Sequence, residues 1–303
     1  MEEVKCRAFL SAVDHGSLTA AAEDLGYTQS GITRIINSLE EEIGFSLFIR
    51  SKKGVVLTEN GRIMLPVFRD IVRAHNHAAQ LSSDIRGAVC GVLTIGSYFS
   101  VSSMLLPPIL KEFRTLHPGI LIHMKEGSNR EMTAWLCEKS VDCCFCAKPG
   151  TANCDWIPVF QDEIVAWLPQ QHPLASADFF PVRDLEHEPF IQTSPDSDTD
   201  QDRLLAALQL NPTVSFTTKD AFTTYNMVAA GLGVSFNQRL ISENWVGNVA
   251  EIPFSPPQYI TLGIAVPSLR DASPVTRRLV EYAKKTMRSR FQLSPGKKEA
   301  GAP

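Results

Sequence analysis

Five side chains between positions 29 and 37 have the types and spacing to read nucleic-acid bases: Gln29, Ser30, Thr33, Arg34 and Asn37. They are polar, mostly short and able to hydrogen-bond. On a helix their spacings of three and four residues gather them on one face. A helix fits the major groove of DNA, where each base pair shows its own donor–acceptor pattern. A second set, Arg50, Lys52 and Lys53, crowds a short turn ending at Gly54. Its chemistry would be contact with phosphate or the minor groove. Enzyme chemistry finds no such support: the histidines are scattered, with no triad order, phosphate loop or paired-metal spacing. Cys143, Cys144 and Cys146 fall on one apolar run, which reads as a buried strand of small thiols rather than a zinc site. No cofactor and no metal is expected.

The elements that must hold the first face are written around it. Ser17 is a good N-cap for a helix carrying Leu18, Ala21, Ala22 and Leu25, and Gly26 stops it. Thr28 caps the next helix, whose Ile32, Ile36, Leu39 and Ile43 form the inner stripe opposite the polar face. Gly44 closes it. A first helix is expected over 2–14, and a β-wing from Phe48 through the basic turn to Leu57. Ser17, Thr28 and Thr58 stand at helix starts beside the polar face and are counted with its contacts. By itself the pattern fits an ordinary surface helix pair equally well.

Thr58 caps a long helix running to about Arg86. Met64, Val67, Ile71, Ala74, Ala78, Leu81 and Ile85 follow at spacings of three and four, a heptad seam that asks for a partner, most simply a second copy. The other reading is an amphipathic helix packed on its own domain. Pro66 removes a backbone donor, so a kink or break near Arg62 is expected. After a hinge at 87–91 short strands alternate with helices, as in α/β units. Strands are expected at 92–95, 120–125, 141–146, 164–168, 190–191, 214–216, 234–236 and 260–266. Helices are expected at 105–116, 131–139, 200–208, 221–230 and 274–291. Residues 294–303 read as a disordered tail.

The chain has 303 residues and a formal net charge of −4, so bulk charge lends nothing to nucleic-acid binding. Residues 1–60 hold six Lys or Arg against nine Asp or Glu. Placement matters more than the sum, because phosphate meets a local patch. No apolar run is long enough to span a membrane, and the N-terminus lacks a signal-peptide layout. A cytoplasmic protein with reduced thiols is expected.

Residues 1–65 closely resemble the DNA-binding domain of LysR-type transcriptional regulators. The resemblance is carried by Phe9, Val13, the run Gly16 to Ala22, Leu25, Gln29-Ser30, Leu39-Glu40, Gly44, Leu47 to Arg50 and Leu57 to Gly61. Ser30-Gly31 departs from the Pro-Ala found in many members. The later half resembles the family too, in Gly91 to Gly96, Glu126-Gly127-Ser128, Asp142, His172 to Ala175 and Val228 to Gly233. The resemblance implies a winged helix-turn-helix domain (1–58), a dimerising linker helix (59–86) and a two-lobed effector domain like a periplasmic binding protein (92–293). Lobe I would be 92–160 with 266–293, and lobe II 161–265, with crossings near Phe160-Gln161 and Ala265-Val266. Ligands of such sheets bind beyond the carboxyl ends of strands. That points to Ser97, Ser100 and Ser102, to Ser128 and Asn129, and to Thr193 and Ser194 with Thr223 facing them; the resemblance puts effector contacts at Ser100, Ser128 and about Ser194 and Thr223.

The expected protein is a bacterial regulator, not an enzyme. It would bind a pseudo-palindromic site in double-stranded promoter DNA as a homodimer or homotetramer. A small effector, with an organic acid favoured, would change DNA bending and contact with RNA polymerase; no membrane partner is expected. The alternative is a soluble small-molecule-binding protein whose N-terminal helices serve only oligomerisation.

Overall fold

A computed structural model describes residues 1–51, 54–86, 90–150, 152–195 and 197–291. Lys52, Lys53, most of the expected hinge and the expected tail lie outside the described residues. The N-terminal part is α1 (Glu3–His15), α2 (Leu18–Leu25), α3 (Gln29–Ile43), the antiparallel ribbon β1 (Phe48–Ser51) and β2 (Gly54–Leu57), and α4 (Glu59–Ile85). Local chemistry sets its boundaries. The Ala20 N–H donates to Ser17 Oγ (3.3 Å), the Gly31 N–H to Thr28 Oγ1 (3.1 Å) and the Gly61 N–H to Thr58 Oγ1 (2.9 Å). Gly26 and Gly44 end α2 and α3 in the left-handed region that costs glycine nothing. Phe9, Ile32, Ile36, Leu39, Leu47 and Phe68 close one core.

α4 is unbroken across Pro66, so the expected break does not occur. Its inward face is Leu65 and Phe68, with Met64, Ile71 and Val72 against the same core. Met64 and Ile71 therefore leave the expected seam. Ile63, 62% exposed, takes the place of Met64, followed outward by Val67, Ala74, Ala78, Leu81 and Ile85. The physical reason is packing: with Leu65 and Phe68 buried in the N-terminal core, Met64 and Ile71 fall beside them on the helix and Ile63 falls on the far side.

Then follow β3 (Cys90–Ser97), α5 (Phe99–Met104), α6 (Leu106–Leu116), β4 (Gly119–Glu126), α7 (Asn129–Cys137), β5 (Cys143–Ala147) and β6 (Asp155–Pro169). The far lobe adds β7 (Phe180–Pro181), β8 (Pro189–Thr193), α8 (Asp200–Leu208), β9 (Thr213–Thr218), α9 (Ala221–Ala229), β10 (Ser235–Gln238) and α10 (Arg239–Ser242). β11 (Val249–Val266) and α11 (Pro274–Phe291) return the chain. The large sheet runs β10-β6-β11-β5-β3-β4, with β7 against β11, and β8 pairs β9 in parallel. β6 and β11 are longer than the expected strands and pair antiparallel through both lobes.

Leu262, Ile264, Ala265 and Val266 all belong to the lobe I core, and Ile260 touches both cores. The crossing on β11 is thus at Ile260, not at Ala265-Val266, because a strand crosses where its side chains change cores. α5 was expected as loop; its serines favour caps, but Val101 anchors it in the lobe I core.

Candidate functional site

The polar face of α3 is open. Gln29, Ser30, Arg34 and Asn37 are exposed and Thr33 is part-buried, while Ile32, Ile36 and Leu39 on the opposite side have no exposed surface. Gln29 Nε2 donates to Thr33 Oγ1 (3.4 Å), and Thr33 Oγ1 to the Gln29 carbonyl (2.9 Å). Arg50 reaches back from β1, donating through Nη2 to Asn37 Oδ1 (2.5 Å) and pairing with Glu40 (3.2 Å). The structure thus brings Asn37 and Arg50 into one unit rather than leaving two separate contacts.

Glu40 is a part that sequence reading missed. Its Oε1 accepts from the Leu47 N–H (2.6 Å) and the Phe48 N–H (3.2 Å), which fixes the turn leading into the ribbon. The acidic run 40–42 hid this, since a carboxylate four residues before a helix end reads as a solvated face. Glu42 is likewise tied, to Lys5 (2.8 Å) and the N-terminal amine (2.6 Å). Gly54 begins the second ribbon strand at φ 123°, and a Cβ there would lie 2.3 Å from the Gly16 carbonyl oxygen. That oxygen accepts from the Val55 N–H (2.9 Å), so the ribbon is fastened to the end of α1. Between them Ser17, Gln29, Thr33, Arg50 and Val55 line a surface groove of about 440 Å3.

The second site lies between the lobes. A cavity of about 160 Å3 is lined by Ser100, Ser128, Asn129, Thr193 and Ser194 among the expected residues. Ser97, Ser102 and Thr223 do not line it. Ser97 Oγ donates to the Tyr98 carbonyl (3.0 Å) and Ser102 Oγ to Glu126 (2.5 Å). Thr223 is exposed and turns its hydroxyl to Asp220 Oδ2 (2.8 Å), completing the cap of α9. The inward residue is its neighbour Thr224, whose Oγ1 meets Thr193 Oγ1 (2.7 Å), Thr218 Oγ1 (2.6 Å) and the Asp220 carbonyl (3.2 Å). Adjacent helical side chains point about 100° apart, so one residue decides inward from outward. Thr224→Val is expected to lower stability by about 1–2 kcal/mol by leaving hydroxyls unpaired, against about 0.5 for Thr223→Val. Urea melts of the two variants check this.

Both lobes contribute to the cavity's polar network. Ser100 Oγ donates to Gln238 Oε1 (3.0 Å), and Asn129 Nδ2 donates to the Asp198 carbonyl (2.5 Å) and more weakly to Asp200 Oδ1 (3.5 Å). Gln238 Nε2 donates to the other Asp200 oxygen, and the Tyr98 hydroxyl to Asn129 Oδ1. Asp200, Gln201 and Gln238 were not among the expected residues. Asp200 is the first residue of α8, and Gln238 is the last residue of β10, at the carboxyl end of a strand, the place the α/β rule points to. Burial pushes the Asp200 carboxyl up to about 6, against the lowering by Asn129, Arg203 and Gln238. Asp200 is the one charged residue among the described residues lining the cavity. On β5, burial pushes the thiols of Cys143, Cys144 and Cys146 up, away from reactive thiolates.

Two sequence models match. That of the LysR substrate binding domain covers residues 86–288, and that of the bacterial regulatory helix-turn-helix protein, lysR family, covers 5–62. The chain belongs to the LysR family. It is a DNA-binding transcriptional regulator with an effector-binding domain. The HTH-type transcriptional regulator YvbU of Bacillus subtilis (strain 168) is 27% identical over 292 residues, 94% of this chain and 98% of that protein. TtuA of Agrobacterium vitis is 28% identical over 259 residues, 84% of each. Full-length OxyR from Pseudomonas aeruginosa superposes with a TM-score of 0.75 at 21% identity, over 95% of both chains. CbnR complexed with its target DNA superposes at 0.65 and 19% identity, over 94% of this chain and all of that one. These likenesses give this LysR-family chain its fold: winged helix-turn-helix, long helix and two-lobed domain.

Proposed function

We propose that this regulator binds a pseudo-palindromic site in double-stranded promoter DNA as a homodimer joined through α4, and that two dimers act together. α3 enters the major groove with Gln29, Ser30, Thr33, Arg34 and Asn37 toward base edges. Ser17, Thr28 and Thr58 at the helix starts, Arg50 on the ribbon and Lys52 and Lys53 in its turn meet the backbone. A small molecule held between the lobes by Ser100, Ser128, Asn129, Thr193 and Ser194 alters the geometry of the assembly, and with it DNA bending and contact with RNA polymerase. The protein works where the chromosome is, in the cytoplasm. The observation that carries the reading is the exposed polar face of α3 set directly against its buried Ile32, Ile36 and Leu39. A further support is the exposed apolar stripe of Val67, Leu81 and Ile85 on α4.

A gel shift on the intergenic DNA beside its own gene tests the reading. No retardation would favour a binding protein whose helices serve only assembly. Arg34→Ala should weaken binding to the specific site by about 1–3 kcal/mol, with less loss on unrelated DNA. Equal loss on both DNAs would make Arg34 a phosphate contact.

A further inference from the structure

The chemistry of the effector follows from the charges around the cavity, granted that the cleft is the effector site. We propose that it takes a small primary ammonium ion, with Asp200 as the counter-ion. Of the described residues lining the cavity Asp200 alone is charged. Its two oxygens are met by neutral amide groups, Gln238 Nε2 and Asn129 Nδ2. A carboxylate in low dielectric gains more from an ionised donor than from an amide.

Three helix ends that would suit an anion, those of α7, α8 and α9, are already occupied, while the six-residue α5 starts without a side-chain cap. The Ser128 N–H at the start of α7 donates to Glu131 (2.8 Å), the Thr199 N–H before α8 to Asp202 (2.9 Å), and the Thr223 N–H in α9 to Asp220 (2.8 Å). Each helix carries its own negative cap, which offsets the positive end of its dipole.

Two cations near the cleft are engaged as well. Arg203 holds Asp198 through two hydrogen bonds (2.9 and 2.6 Å), and Lys125 lies over the Trp135 ring at 5.8 Å. An incoming carboxylate would meet Asp200 with no free cation among the lining residues, whereas an ammonium ion would replace the Gln238 amide and loosen the Ser100–Gln238 bridge across the lobes. A cavity of about 160 Å3 has the volume of about five liquid waters. Ala221 and Ile241 on its wall suit a short alkyl chain.

The probes are n-butylammonium and butyrate, close in size and opposite in charge, titrated calorimetrically into the full chain at about pH 8, where Asp200 is ionised. Butylammonium should bind at least about tenfold more tightly than butyrate, and Asp200→Asn should remove at least about tenfold of that affinity. A melt of the variant checks that it is folded. Lowering the pH through about 6 should weaken butylammonium binding to the parent chain, an independent readout if the variant misfolds. Asp198, Arg203, Tyr98 and Cys146 are the other titratable groups whose charge is felt by Asp200 or feels it, and none is a histidine. Preference for butyrate, binding of neither ion, or unchanged affinity in a folded Asp200→Asn overturns the proposal. A gel shift run in parallel separates the two levels: DNA binding with a butyrate preference overturns the ammonium ion alone, and absence of DNA binding overturns the regulator reading.

Discussion

Val67→Glu combined with Leu81→Glu is expected to turn the dimer into a monomer. Among the described residues Val67 is 45% and Leu81 44% exposed, on the outward stripe of α4. In a dimer the remaining exposed part of each side chain would be buried, contributing about 0.7–1.4 kcal/mol. Two glutamates per copy would bring four like charges into a dry seam, at several kcal/mol each before relaxation. The dimer constant should weaken by about a thousandfold or more, roughly 4 kcal/mol. The effect on DNA follows, because a monomer loses the gain of engaging two half-sites at once. Sedimentation velocity at micromolar concentration reads the assembly. A circular-dichroism melt reads the effector domain, which should stay folded since neither residue belongs to its cores. A persistent dimer with parental DNA affinity would place the interface elsewhere.

The second large effect is a gain in stability. Asp200→Asn should raise the unfolding free energy at about pH 8 by about 1–3 kcal/mol, with no gain below about pH 4. The sign follows from proton binding. Burial raises the folded carboxyl from 3.8 to about 6, so between those values the folded chain holds a proton that the unfolded chain has released. Stability therefore falls as pH rises through that window, and the full penalty remains above it. Asparagine carries no such penalty. It keeps an acceptor for one neighbour, and Gln238 can turn its oxygen to meet the new amide. Urea unfolding of parent and variant at the two pH values measures the difference. An equal effect at both would mean that charge burial is not the cause. The same carboxylate is the ligand's counter-ion in our proposal, so stability gained here is affinity lost.

The N-terminal part was the most legible in the sequence because its boundaries are local chemistry. Ser17, Thr28 and Thr58 each cap within three residues, and Gly26 and Gly44 stop their helices without help from distant contacts. α8 and α11 were legible for similar reasons, with Thr199 and Pro274 at their starts. The long crossing strands were not. Pro253, Pro256 and Pro257 interrupt β11, and Asp162 stands inside β6, where it is 9% exposed and accepts from the Leu240 N–H (3.2 Å). Such strands are held by partners a hundred residues away, which periodicity cannot see. In the cleft, hydroxyl content pointed to the loops of Ser100, Ser128 and Thr193, which line the cavity. It could not separate Thr223 from Thr224, or foresee that Asp200 would face inward, because the first depends on which side of α9 meets β8 and β9 and the second on which side of α8 meets lobe I.

Arg69 has a mechanical consequence. Its guanidinium, 8% exposed, reaches Glu138 of lobe I (2.7 Å) and Asp14 of α1 (3.4 Å) from the middle of α4. Lys139 adds a bond to Asp70 (2.6 Å), and Arg7 one to Asn76 (3.2 Å). The reading head, α4 and lobe I are therefore linked at several points, while lobe II meets lobe I through β6, β11 and the cleft contacts. A ligand that moved lobe II about β6 and β11 would leave those links in place. It can change the faces that lobe II offers to other copies. The signal would then travel to DNA through the spacing of subunits, and the length of the operator would be the quantity that senses it.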